Sequence, residues 1–151
     1  RAALMQTVVW VHGDMLNPNH PALVQNPDAP ALYVWDDALL SEYQLSFKRV
    51  VFIYECLLEL PVVIRRGDPA AEVLRFAAGN SASRIVTGAS VSPRFTNLCA
   101  TIRAGLGEGG RLDIVEAPPF VTVSGPLDLK RFSRYWQQVR DVALNKGDIR
   151  R

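Results

Sequence analysis

His12 and His20 stand eight positions apart in a loop rich in Gly, Pro and Asn, with Asp14 between them. Two imidazoles and a carboxylate have the chemistry to hold a metal ion. No third nitrogen or sulfur ligand accompanies them, so a plain loop is the better reading and no metal site is assigned. Nucleophilic catalysis has no firmer footing. Cys56 and Cys99 fall inside helical patterns, and no Ser has a His and an acid at recognisable motif positions, so no catalytic residue is assigned. A second constellation joins His12-Gly13-Asp14-Met15 to Thr87-Gly88-Ala89-Ser90 and to Trp35-Asp36. Gly13 and Gly88 would let backbone N–H groups approach a phosphate or a ring, Thr87 and Ser90 offer hydroxyls, and Asp14 offers an acceptor. The candidate ligand-binding set is therefore His12, Gly13, Asp14, Trp35, Asp36, Thr87, Gly88 and Ser90. The alternative is a set of glycine-containing turns that simply link strand to helix.

These residues need elements that bring them together, and the chain alternates strand and helix. Thr7 to Val11 is a β-branched run of the kind buried on both faces of a sheet. Pro21 to Gln25 can form a short helix between breakers, and Ala31 to Trp35 a second strand ended by Asp36-Asp37. Ser46 opens the clearest helix, with Val50, Ile53, Tyr54, Leu57 and Leu60 recurring at three and four residues until Pro61. Pro61 to Ile64 is a third strand. Asp68-Pro69 is an N-cap with proline at the first helical position, and the helix it starts runs to Gly79-Asn80. Arg84 to Thr87, Pro93 to Leu106 and Leu112 to Val115 continue as strand, helix and strand. A last helix is expected from about Asp128 to Asn145. Such alternation requires right-handed crossovers and a parallel sheet covered on both faces. The expected fold is an α/β, Rossmann-like three-layer sandwich with five parallel strands in the order 3-2-1-4-5. That order puts the winding reversal between strands one and four, where ligands of open α/β sheets bind.

With 151 residues and 48% hydrophobic content, the chain suits a single domain over residues 1–151. Its 17 basic and 15 acidic residues nearly cancel, so charge does not imply a nucleic-acid partner. Arg65 and Arg66, adjacent on a strand, point to opposite sides and are expected at a solvated strand end. Two cysteines without metal-ligand spacing or disulfide density point to a reducing compartment. No apolar run nears the roughly 20 residues that span a bilayer, and Arg1 to Gln6 is too short for a signal peptide. A cytoplasmic protein without membrane attachment is expected.

Three segments carry a family resemblance. Arg65-Arg66-Gly67-Asp68-Pro69, Val34-Trp35-Asp36-Asp37-Ala38-Leu39-Leu40 and Phe47-Lys48-Arg49-Val50-Val51-Phe52 together resemble the N-terminal α/β domain of DNA photolyases and cryptochromes. Residues 10–23 align without a gap on the family pattern W-F-R-R-D-L-R-L-x-D-N-P-A-L, matching at Trp10, Asp14, Pro21, Ala22 and Leu23. Pro93 matches the proline of a W-N-x-x-x-x-P motif, and Pro126 to Trp136 resembles the linker that leads to the family's helical domain.

The resemblance implies an antenna-type domain standing without the flavin-binding helical domain, hence no FAD on this chain and no autonomous light-dependent DNA repair. A folate or deazaflavin antenna chromophore could sit at the switch-point loops. The functional expectation is a binding or interaction module for a nucleotide- or pterin-like molecule. The alternatives are a structural, partner-docking protein with a vestigial cleft, or the isolated antenna domain of a repair photolyase. Phe132, Tyr135 and Trp136 form an aromatic stripe on the last helix, expected to dock a partner protein or a second copy.

Overall fold

The computed structural model describes residues 6–42, 44–119 and 125–145. The chain divides into two compact units, Arg1–Ala117 and Pro118–Arg151. Among the described residues the first unit holds strands β1 (Thr7–Val11), β2 (Ala31–Asp36), β3 (Val62–Gly67), β4 (Arg84–Gly88) and β5 (Arg111–Val115), with helices α1 (Pro21–Val24), α2 (Asp37–Glu42), α3 (Phe47–Leu58), α4 (Pro69–Gly79) and α5 (Pro93–Gly105). All strand pairings are parallel, and the sheet order is β3-β2-β1-β4-β5, as the alternation of the sequence implies.

β1 is central, and its alternate residues feed two cores. Val8 and Trp10 join Leu32, Val34 and Ile85 beneath α4 and α5, which contribute Val73, Phe76, Phe95, Cys99 and Ile102. Val9 and Val11 join Ala31, Tyr33 and Val86 on the opposite face, with Met15, Leu23, Leu57 and Leu60 over them. A strand buried on both faces leaves no position for a polar alternation, which is why Thr7–Val11 is continuously apolar after its first residue.

The passage from β3 to α4 explains the Arg65–Pro69 segment. Arg65 pairs with Glu72 at 3.4 Å and lies over the Phe76 ring at 5.4 Å, while Arg66 pairs with Asp37. Both arginines therefore lie within the strand rather than beyond it. Gly67 has φ +146°, which L side chains rarely adopt, so glycine is needed for the chain to turn. Asp68 then accepts the Ala71 N–H at 2.8 Å and Pro69 fills the first helical position. In the second unit α6 (Phe132–Asn145) begins at the first aromatic of the stripe, four residues later than the expected start at about Asp128. No helix among the described residues is long and apolar enough to cross a membrane.

Candidate functional site

A cleft of about 540 Å³ opens where β1, β2 and β4 end, at the reversal of winding. His12, Gly13, Asp14, Asp36 and Ser90 line it. Its apolar wall includes Leu39, Leu45, Phe52, Ile53, Phe95 and Leu98, and Arg49 and Arg94 bring positive charge. Three polar clasps give the cleft its shape.

The first clasp is His12. Its Nε2 lies 2.8 Å from the Gly88 carbonyl oxygen, which can only accept, so Nε2 carries the proton. The other ring nitrogen, Nδ1, then accepts the Asp14 N–H at 3.3 Å and completes a neutral tautomer. The ring also lies 5.0 Å from Phe95 and 5.6 Å from Trp10. Burial lowers the His12 pKa, against the opposing pull of the Gly88 hydrogen bond and the Asp14 charge. His12 thus ties the end of β1 to the end of β4 as an uncharged group. The second clasp is Ser90, whose hydroxyl donates to Asp14 Oδ2 at 2.6 Å. The third is Asp36, the last residue of β2. Arg94 grips its Oδ2 through Nε at 2.9 Å and Nη2 at 2.5 Å, and its Oδ1 accepts the Leu39 N–H at 3.1 Å. Two N–H groups on one carboxylate oxygen hold α5 to the end of β2. Burial, with the Asp36 charge, pushes the Tyr33 hydroxyl in the cleft wall up to about 12, so it stays protonated at neutral pH.

Trp35, Thr87 and Gly88 lie elsewhere. Trp35 packs edge-on against Tyr33, ring centroids 5.3 Å apart, and supports the second core. Thr87 is fully buried and donates its hydroxyl to the Trp10 carbonyl at 2.8 Å. Gly88 does need to be glycine, for an internal reason: a Cβ there would stand 2.7 Å from Cε1 and 2.8 Å from Nε2 of His20, and 2.8 Å from Cγ of Met15. Its N–H points to the Met15 sulfur at 3.0 Å. His20, buried, caps α1 by accepting the Ala22 N–H at 3.2 Å, and burial lowers its pKa. The two histidines therefore spend their Nδ1 atoms on different backbone amides, and no cluster of three metal-ligating side chains forms among the described residues.

Arg49, Arg94, Phe52 and Phe95 escaped the sequence reading. Arg94 was legible in principle, because it follows Pro93 in the first turn of the helix after β4 and so must face the end of a neighbouring strand. In the second unit, Phe132 and Trp136 stack at 6.1 Å with an 11° angle between the rings, and Tyr135 lies 6.4 Å from Phe132. Phe132 is 75% and Trp136 38% exposed.

No family model matches the chain, and no curated protein matches it. Solved structures similar to it include hypothetical protein MJ0577, reported as a structural-genomics test case of assigning biochemical function from structure. That similarity runs at 11% identity over 78% of this chain and 99% of that one, with a TM-score of 0.49. Hypothetical protein PH0823 is 16% identical over 77% of this chain and 99% of its own, with a TM-score of 0.45.

These neighbours are not photolyases or cryptochromes, and the resemblance drawn from the sequence is corrected accordingly. With it go the antenna-module and repair-photolyase readings and the ground for a folate or deazaflavin. The physical reason lies in the matched residues. Trp10, Ala22 and Leu23 are core positions, Pro21, Pro69 and Pro93 start helices, and Asp68 is an N-cap. Any doubly wound sheet needs such residues there. The positions that depart from the pattern, His12, Gly13, Leu16, Asn19 and His20, lie in or beside the loop where a family-specific function would reside.

Proposed function

We propose that the cleft at the ends of β1, β2 and β4 binds a small molecule with a flat apolar body and an anionic group. The observation that carries this reading is the cleft itself, which has the size of a small-ligand site and joins an apolar wall to a few converging polar groups. Phe52, Leu98 and Ile53 suit a planar body. Arg49, which makes no ion pair among the described residues, suits an anionic end. Asp14, Asp36 and His12 are each engaged in a hydrogen bond or ion pair, which favours binding over turnover. The probe 1-anilinonaphthalene-8-sulfonate has both features. Saturable one-to-one fluorescence enhancement is expected, weakened about tenfold in Arg49→Glu and lost in Leu98→Glu. Absence of saturable binding, or binding indifferent to both changes, would overturn the reading.

The exposed, stacked Phe132 and Trp136 support a second role, the docking of a partner protein on α6. A partner captured by the native chain should be released by Trp136→Ala, and retention by that variant would sink this role. Free Cys56 and Cys99 support a reducing, cytoplasmic setting. Both thiols should then be found open to alkylation in protein freshly denatured from cells, and a disulfide would argue otherwise.

A further inference from the structure

α3 carries more apolar surface than its own core uses. Among its twelve residues Leu57 alone is buried. Away from that face, Phe47, Val51, Tyr54 and Leu58 recur at i, i+4, i+7 and i+11 and so share one stripe. Phe47 is 81%, Tyr54 50% and Leu58 66% exposed, and a row of this kind marks a contact surface.

The charges beside the stripe say what covers it. Lys48 and Glu55 stand seven residues apart, hence on one flank, and neither makes an ion pair among the described residues. Lys48 lies in the first turn and Glu55 towards the last, so each sits at the end of the helix where its sign is disfavoured by the macrodipole. The helix gains nothing by itself from this placement. A second copy crossing the stripe about a two-fold axis runs antiparallel, which sets Lys48 of each copy against Glu55 of the other and opposes the two dipoles. A parallel pairing about a two-fold would carry this flank of the two copies to opposite sides of the seam, leave Lys48 and Glu55 without each other, and align the two dipoles. We propose that the chain forms a symmetric dimer through α3, with the two helices antiparallel and the stripes in contact. Arg49 and Phe52 leave the helix on the side of the cleft, so the contact leaves the cleft accessible.

Twelve residues make a helix of about 18 Å, shorter than a standard interface demands, so the dissociation constant should be roughly micromolar. Sedimentation velocity from about 1 to 300 µM should show a shift from monomer to dimer. Leu58→Lys should weaken the dimer at least about tenfold. Lys48→Glu and Glu55→Lys should each weaken it about fivefold, because each reversal creates two like-charge contacts, and the double exchange should restore it. These positions are exposed, and circular dichroism should show the native fold in every variant. A wild type that stays monomeric throughout overturns the proposal, as does a dimer indifferent to Leu58→Lys. Failure of the double exchange to restore the single ones overturns the antiparallel pairing.

Discussion

α3 and α4 are similar amphipathic helices in sequence and opposite in their use of apolar surface. α4 buries Pro69, Ala70, Val73, Phe76 and Ala77 against the sheet, while α3 buries Leu57 alone. Small residues account for the difference. Ala70 and Ala77 let α4 approach β1 and β2 closely, and Phe76 then fills the space beside them. α3 offers Phe, Tyr and Leu over much of its circumference, more than one sheet face can take up. On α3's face, Met15, Ala22 and Leu23 from the β1 loop and α1 supply much of the seal. Periodicity therefore locates an apolar stripe without saying what it meets.

The largest test of this contrast is a matched pair of substitutions. Val73→Asp places a carboxylate in a fully buried site and should cost more than about 4 kcal/mol, enough to leave much of the protein unfolded. Val51→Asp on α3 should cost less than about 1 kcal/mol. Urea titrations with equal slopes for wild type and Val51→Asp would establish the difference; comparable losses at the two sites would show that α3 is as deeply packed as α4.

Gly88→Ala asks whether the loop and α1 indeed seal the α3 face. Its Cβ would press on the His20 ring, which is held by the Ala22 amide, and on Met15. Destabilisation of about 1–3 kcal/mol is expected from overpacking. Gly13→Ala meets nothing within 4 Å and should change stability by less than about 0.5 kcal/mol. Equal effects in thermal unfolding would break the assignment of Gly88 to internal packing.

The sheet order, the central strand and the helices were legible because a parallel sheet demands apolar runs and its crossovers demand caps such as Asp68-Pro69. The site was legible in part. His12, Asp14, Asp36 and Ser90 follow from knowing where strands end, since a loop after a strand must lie at the carboxyl edge. Gly88 and Thr87 are not among the residues lining the cleft, which the sequence does not reveal, because a small residue at a strand end has the same sequence appearance whether a ligand or a neighbouring side chain needs the room. Arg49 and Phe52 depend on which way α3 is rotated, a choice that a helix apolar over so much of its surface leaves open. α2 went unseen because six residues carry too little periodicity, and Asp36 capping Leu39 is a contact visible only in three dimensions.

A smaller effect should distinguish the two faces by pH. Burial lowers the pKa of both His12, beside Phe95, and His20, beneath Gly88. A histidine whose folded pKa is depressed binds fewer protons folded than unfolded, so its contribution is complete above the unfolded value, about 6.5, and declines as pH falls below it. Stability should therefore decline between about pH 6.5 and 5, and His12→Gln should flatten that slope while keeping a donor for the Gly88 carbonyl. An unchanged slope in His12→Gln would assign the proton uptake to His20 and its face instead.

The smallest expected effect is the most informative about α3. Tyr54 is half exposed on the stripe, and its hydroxyl makes no hydrogen bond among the described residues. At concentrations low enough to keep the chain monomeric, Tyr54→Ser removes little buried area and should change the unfolding free energy by no more than about 0.5 kcal/mol. Raising the concentration should bring out a difference, because a dimer stabilises the folded state by mass action in the wild type and less so in the variant. A gap that widens with concentration places the value of this side chain in association. A gap of the same size at every concentration would place it in the monomer's own packing, and the contrast between α3 and α4 would then be one of degree.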